Sequence, residues 1–319
     1  MKIFVTGAAG FIGSYVANSL LDDGHEVVGF DNFNDYYDVS LKEARTAAGG
    51  KREGFTMIRG DLTDFQLLTS HFQQHKPDRV CHLAAQAGVR YSIENPAAYQ
   101  KSNLEGHLNI LEACRHAKTE RLVYASSSSV YGGNKKVPFS EDDPVDHPVS
   151  LYAATKKANE LMSHTYTHLY GLQTVGLRFF TVYGPWGRPD MAYWLFTEAM
   201  LKGETIKVFN HGKMERDFTY IDDIVAGVKA SLFADGLDPY EIFNLGNNTP
   251  ENLMDFIQTL ADALGIEPKM EMLPMQAGDV PITFADISKA QSKLGYQPIT
   301  SMAEGLTRFV AWYKEYFKA

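Results

Sequence analysis

Tyr152 and Lys156 stand four residues apart in a segment, 152–170, whose pattern predicts a helix, so their side chains share one face. A phenol with a reference pKa of roughly 10 is a poor base at neutral pH. A nearby ammonium stabilises the phenolate, lowers that pKa and makes the pair a proton-transfer device. Tyr and Lys at this spacing are common on exposed helices, so the pair takes its meaning from what surrounds it. Ser126-Ser127-Ser128-Ser129 follow directly on the apolar run Leu122-Val123-Tyr124-Ala125. Hydroxyls at the carboxyl end of a buried strand lie where ligands bind in an open α/β sheet. One of them can hydrogen-bond a substrate hydroxyl and share its proton with the tyrosine. Taken alone, the run is equally a serine-rich turn.

Gly7-Ala8-Ala9-Gly10-Phe11-Ile12-Gly13 sits between the first predicted strand and a helix. Its spacing is G-x-x-G-x-x-G. Small residues there let the backbone turn tightly and approach a pyrophosphate, whose charge a helix N-terminus favours. Asp31 closes the second strand 18 residues after Gly13, next to Asn32. A carboxylate at that place accepts hydrogen bonds from ribose hydroxyls and repels a 2′-phosphate, which favours NAD over NADP. By itself Asp31 reads as well as a turn residue; with the loop at this distance, the ribose reading wins. Asp61 and Leu62, after the third strand, either flank the adenine or form a turn. Ala84 and Ala85, ending the fourth, are small where a dinucleotide crosses the sheet edge.

The elements that must hold these groups alternate. Strands are expected at 3–6, 26–30, 56–59, 79–83, 121–125 and 174–178. Helices are expected at 11–21, 64–75, 103–117 and 152–170. This alternation predicts an α/β fold: a doubly wound parallel sheet of the Rossmann type with right-handed crossovers. After about Tyr183 the pattern changes, with a Gly/Pro loop at 184–189, a helix and a strand at 206–209. A helix at 222–233 and a strand at 242–245 return to the large sheet; helices at 252–264 and 302–316 complete a smaller, interleaved lobe. The division expected is 1–182 with 217–247 for the dinucleotide, and 183–216 with 248–319 for the substrate.

A chain of 319 residues with 45% hydrophobic and 22% charged residues has the composition of an ordinary globular enzyme. A net charge of −9 speaks against nucleic acid as the main partner. Cys81 and Cys114 read as buried thiols in a reducing compartment rather than a disulfide or metal site, and no metal is expected. The start of the chain has no signal-peptide pattern and no apolar run is long enough for a bilayer, so a cytoplasmic protein is expected.

The glycine loop, Asp31, Ser126 to Gly132 and Tyr152-x-x-x-Lys156 together resemble the extended short-chain dehydrogenase/reductases, over nearly the whole chain. Within that group the chain is similar to the nucleotide-sugar epimerases, most of all the UDP-glucuronate 4-epimerases. The closer match lies in Asp31 to Asp38, Ala87 to Ser92, Arg178 to Ala192 and Arg216 to Asp223. The resemblance implies Ser127 as the catalytic hydroxyl, Tyr152 as acid/base and Lys156 as its partner. It also implies Arg216 on the UDP diphosphate, and Phe209, Gln276 and Asp279 around the uridine. Galactose-type epimerases usually carry an arginine where Gln276 stands.

Three reactions in such families begin with oxidation at C4 of the sugar: epimerisation, dehydration and decarboxylation of a glucuronate. Dehydratases and decarboxylases typically place an acidic residue just after the catalytic hydroxyl; here Ser128 and Ser129 follow it. Epimerisation needs no such group, because the hydride taken from C4 by NAD returns to the other face. Thr181, where galactose-type epimerases usually have Asn, joins Ser128 and Ser129 as a donor suited to a C6 carboxylate. Arg188 either adds a charge-assisted contact or faces solvent or a neighbouring subunit, and Arg90 is open in the same way. The expected activity is therefore 4-epimerisation of a UDP-sugar, UDP-glucuronate foremost. A UDP-glucose/UDP-galactose 4-epimerase comes next, then a UDP-glucuronate decarboxylase, and an NAD-sensing scaffold is the non-enzyme alternative. Helices 103–117 and 152–170 resemble the pair through which the family forms homodimers, although their apolar faces fit a monomer core as well.

Overall fold

In a computed structural model of the chain, residues 1–49, 52–275 and 281–318 are described. The strands, in chain order, begin with β1 (Lys2–Thr6), β2 (Glu26–Asp31), β3 (Phe55–Arg59), β4 (Arg79–His82), β5 (Arg121–Ser127) and β6 (Gln173–Phe179). They continue with β7 (Thr181–Tyr183), β8 (Thr205–Val208), β9 (Glu215–Tyr220), β10 (Tyr240–Leu245), β11 (Pro250–Asn252), β12 (Lys269–Met272) and β13 (Ile282–Thr283). Seven of them form one sheet in the order β10-β6-β5-β4-β1-β2-β3, every pairing parallel. This is the expected doubly wound sheet. Ile3, Phe4 and Val5 of β1 are fully buried, as a central strand covered on both faces requires.

Helices cover both faces. Phe11–Asp22 and Ile221–Phe233 pack together over one core cluster, while Phe65–His75 and Gly106–Ala117 pack over another built on Phe4, Val80 and Leu122. Winding reverses between β1 and β4, which opens a crevice at the carboxyl ends of the strands. A smaller sheet joins β11, β9 and β13, with β7 paired to β9, and β8 pairs separately with β12.

Several boundaries differ from expectation. β2 runs on to Asp31, which closes it as expected, and β5 runs two residues past its expected end to include Ser126 and Ser127. The helix expected from 103 begins as a π-helical stretch, Gln100–Glu105, before the α-helix Gly106–Ala117. The cause is visible at Asn103. Its carbonyl accepts the Asn159 amide at 2.6 Å, and its side chain bridges the Gln86 N–H, the Gln86 carbonyl and Thr155. Wide turns of this kind often mark functional segments. The strand expected at 206–209 is β8, and Phe209 opens a short 3-10 turn instead. β9 and the helix Val39–Gly49 were not anticipated.

Candidate functional site

A cleft of ≈ 1080 Å³ lies over the carboxyl ends of the large sheet and runs on to the smaller one. All sequence-selected residues within the described parts of the chain line it, from Gly7 and Asp31 at one end to Phe209 and Arg216 at the other. Gln276 and Asp279 lie outside the described residues.

At the first end, Gly7 adopts φ +70°, and a Cβ there would come within 2.8 Å of the Ala84 nitrogen. A Cβ on Gly13 would lie 2.0 Å from the Gly7 oxygen, so helix and turn meet backbone to backbone. Gly10 precedes the helix Phe11–Asp22 and offers no side-chain cap, leaving first-turn N–H groups for an anion at the cleft floor. Asp31 is almost fully buried and accepts from the N–H groups of Phe33 (2.8 Å) and Ala9 (3.1 Å). Burial pushes its pKa up against those bonds, and each oxygen keeps a lone pair for a hydroxyl. Asn32 donates to Asp61 at 2.8 Å, tying the ends of β2 and β3 together. A cradle no side chain can fill, an uncapped helix end and a buried carboxylate fit a dinucleotide such as NAD.

The middle of the cleft holds the hydroxyls. Ser127 ends β5, donates to Ser129 Oγ at 3.1 Å and accepts the Ser129 N–H at 3.2 Å, which fixes the turn Ser128–Tyr131. Behind it, Ser126 donates to Glu160 at 2.7 Å. Arg178 of β6 grips both oxygens of the same carboxylate at 2.9 and 3.0 Å. This buried network binds β5 and β6 to the helix Leu151–Tyr170, which carries Tyr152 and Lys156. Ser150 caps that helix through the Ala153 N–H.

Lys156 is buried, donates to the Ala125 carbonyl at 2.8 Å, and is lowered by burial to about 8. Burial also raises the Tyr152 phenol; a hydrogen bond with Ser127 and the charge of Arg188 pull it down, and Asp190 pushes it up. Burial prevails, so the protein alone raises the phenol above its ordinary value where the lysine was expected to lower it.

Asp190 was missed as a site residue. Arg188 pairs with it through Nε–Oδ1 (3.0 Å) and Nη2–Oδ2 (2.5 Å), and Tyr36 donates to it at 3.0 Å. Burial would raise the Asp190 carboxyl, but Arg188 and these hydrogen bonds hold it below the usual range. Arg188 therefore faces the cleft with its charge compensated, rather than facing solvent. The signal was the Arg-x-Asp spacing itself, though Tyr36 lies 154 residues away and no spacing could have supplied it.

Two buried imidazoles were also missed. His82 and His107 lie 5.2 Å apart, close enough to feel Lys156. Burial pushes both down, His107 to about 3, so they stay neutral beside the ammonium.

Toward the far end, Arg90 stacks over the Phe209 ring at 5.7 Å, and Thr181 projects from β7. Arg216 on β9 donates to the carbonyls of Glu215 (2.9 Å) and Pro281 (3.0 Å). Its neighbour Asp217 is buried and accepts from Thr219 and from the N–H groups of Asn247, Asn248 and Ala285. One residue of the pair lines the cleft while the other pins the strand, as alternation along a strand allows.

The parallel sheet, its switch-point crevice and the glycine cradle define a dinucleotide-binding α/β protein with a second ligand region beside the first. The chain belongs to the NAD dependent epimerase/dehydratase family, whose sequence profile it matches over residues 3–246. It is 51% identical to UDP-glucuronate 4-epimerase 4 of Arabidopsis thaliana, over 99% of this chain and 76% of that one. Among solved structures it resembles UDP-glucuronic acid 4-epimerase from Bacillus cereus in complex with UDP-glucuronic acid and NAD, at 36% identity and a TM-score of 0.93, covering 99% of this chain and 100% of that one. It also resembles UDP-glucose 4-epimerase from Thermotoga maritima with UDP-glucose, at 31% identity and a TM-score of 0.89, covering 99% and 100%.

Proposed function

We propose that the chain is an NAD-dependent UDP-sugar 4-epimerase that converts UDP-glucuronate to UDP-galacturonate through a transient 4-keto sugar. The observation that carries this reading is the meeting of half-buried Tyr152 and buried Ser127 with Ser128, Ser129, Thr181 and a compensated Arg188 in one cleft. The likeness to the Arabidopsis and Bacillus enzymes supports the same substrate.

Gly7, Gly10, Phe11, Ile12, Gly13, Asp31, Asn32, Asp61, Leu62, Ala84 and Ala85 hold NAD, with Tyr152 and Lys156 beside its reactive end. When bound there, NAD would supply a hydride acceptor that is regenerated within each turnover, and a positive charge beside the phenol. Tyr152 takes the C4 hydroxyl proton, with Ser127 bonded to the same oxygen. Because burial raises the phenol, proton removal calls for positive charge nearby; Arg188 contributes it, and the part assigned to the Lys156 ammonium is to add to it once NAD is bound. Arg216 holds the diphosphate, Arg90 contacts the substrate from beside Phe209, and Phe209 holds the uridine, with Gln276 and Asp279 assigned there by the family likeness alone.

A 4-keto glucuronate is a β-keto acid and loses CO₂ when its C5–C6 bond aligns with the ketone π-system. Ser128, Ser129 and Thr181 hold the carboxylate with uncharged donors, and Arg188 is kept from seizing it by Asp190. Thr181→Ala or Ser129→Ala should therefore raise the share of pentose product, measured by mass analysis of the UDP-sugars. An unchanged partition with merely lower activity would remove that role. Comparing kcat/KM for UDP-glucuronate and UDP-glucose tests the substrate itself; preference for the neutral hexose would replace the reading with a UDP-glucose 4-epimerase.

Turnover that needs the Lys156 ammonium is full below its pKa and lost as pH rises through about 8. The kcat/KM profile should show that alkaline limb, and the residual activity of Lys156→Met should lack it. Arg216→Met should weaken UDP binding by roughly tenfold or more, the worth of a charged hydrogen bond, in a calorimetric titration.

The chain divides in this reading into a dinucleotide part, 1–182 with 217–247, and a substrate part, 183–216 with 248–319. Exposed Leu108, Leu161 and Leu169 on the helices Gly106–Ala117 and Leu151–Tyr170 fit a homodimer contact. Two buried free thiols suit the reducing cytoplasm, and no helix among the described residues is long and apolar enough to cross a membrane.

A further inference from the structure

Arg45 lies on the helix Val39–Gly49, outside the residues given a part in the chemistry, and only 2% of it is exposed. Its Nε and Nη2 donate to the Trp186 carbonyl at 2.9 and 2.5 Å, and Nη2 also to the Gly187 carbonyl at 2.8 Å. Nη1 reaches the Tyr37 hydroxyl at 2.7 Å and the Ala9 carbonyl, within the glycine cradle, at 3.3 Å. One guanidinium thus joins the cradle, the segment after Asp31 and the loop that leads to Arg188.

That loop does not hold its shape through local preference. Trp186 has φ +59°, a left-handed conformation that side chains disfavour and that persists only where surrounding contacts over-determine it. At Gly187 a Cβ would lie 2.0 Å from the Tyr193 hydroxyl, which itself accepts the Arg188 N–H at 3.0 Å. Converging carbonyls need a donor with several N–H groups in a rigid fork, which arginine has and lysine lacks. The next charged residues along the chain are Arg188 and Asp190, whose charges bear on Tyr152.

We infer that Arg45 is a positioning residue: it sets the backbone of the 184–190 loop and thereby places the Arg188–Asp190 pair against the sugar. The inference rests on the proposed reaction for its kinetic consequences, but not for the structural one.

The test uses Arg45→Lys and Arg45→Met beside the unchanged protein. Hydrogen exchange of the 184–190 segment, which needs no substrate, should be faster in both variants. With UDP-glucuronate, kcat should fall by roughly 10- to 100-fold, the scale of a misplacement near 1 Å. KM should change far less, the pentose share should rise, and NAD content after purification should stay near that of the unchanged protein. Exchange and product partition equal to those of the unchanged protein would overturn the inference, even if the melting temperature drops. So would a lower kcat with the loop still protected, or failure of both variants to fold, which would make Arg45 a folding residue only. If the unchanged protein does not turn over UDP-glucuronate, the substrate reading fails, and the exchange result still decides the role of Arg45.

Discussion

Tyr152→Phe should lower turnover of UDP-glucuronate by roughly 10²–10⁴-fold, the range that a positioned acid/base contributes. The substitution removes one oxygen and keeps the ring, which meets Tyr99 edge-on with centroids 6.0 Å apart. Helix, serine turn and glycine cradle should therefore be undisturbed. Steady-state rates should collapse while NAD content and the affinity for UDP remain. The direction follows from the electrostatics: a phenol raised by burial and steadied by Ser127 is a proton donor and acceptor that only a nearby positive charge can switch. Turnover undiminished in the phenylalanine variant would remove the acid/base role, and loss of NAD along with activity would make the residue structural.

Gly13→Ala should strip the protein of its dinucleotide. The added methyl would lie 2.0 Å from the Gly7 oxygen and 2.7 Å from the Gly7 carbonyl carbon, both backbone atoms that no rotamer change can move. The helix Phe11–Asp22 must back away from β1, and the first-turn N–H groups leave the pyrophosphate site. Overpacking of this kind costs about 1–3 kcal/mol in stability, so the variant should still fold with a lower melting temperature. Absorbance of nucleotide released on denaturation should show its NAD content falling by about tenfold or more, as lost charge-assisted contacts would require. Full retention of NAD would mean that the cradle is elsewhere.

Local chemistry was legible in the sequence, and chemistry assembled from a distance was not. The glycine loop, Asp31 and the Tyr152–Lys156 pair could be read because strand, turn and helix fix their geometry within a few residues. The parallel sheet followed from the alternation of short apolar runs with amphipathic segments. Asp190 lies within the stretch Arg178 to Ala192 that resembles the epimerases, yet its partner Tyr36 comes from the loop after β2, 154 residues away. Arg45 sits on a helix whose large apolar residues, Val39 and Leu41, are confined to its start, so no apolar stripe marks it. Its partners lie far along the chain, at Ala9 and Trp186. β9 was overlooked because its charged start, Glu215-Arg216-Asp217, breaks the apolar pattern that marks a buried strand. Asp217 is tolerated there because four donors converge on it. The raised Tyr152 phenol was unforeseen for a related reason: spacing reports the lysine but not the burial.

The most direct test of the account follows a label at the reacting carbon. Purified protein with no added NAD should convert UDP-glucuronate carrying deuterium at C4 into UDP-galacturonate that retains the deuterium, as read by proton NMR and mass. Loss of the label to solvent, or recovery of the sugar nucleotide unchanged, would contradict it.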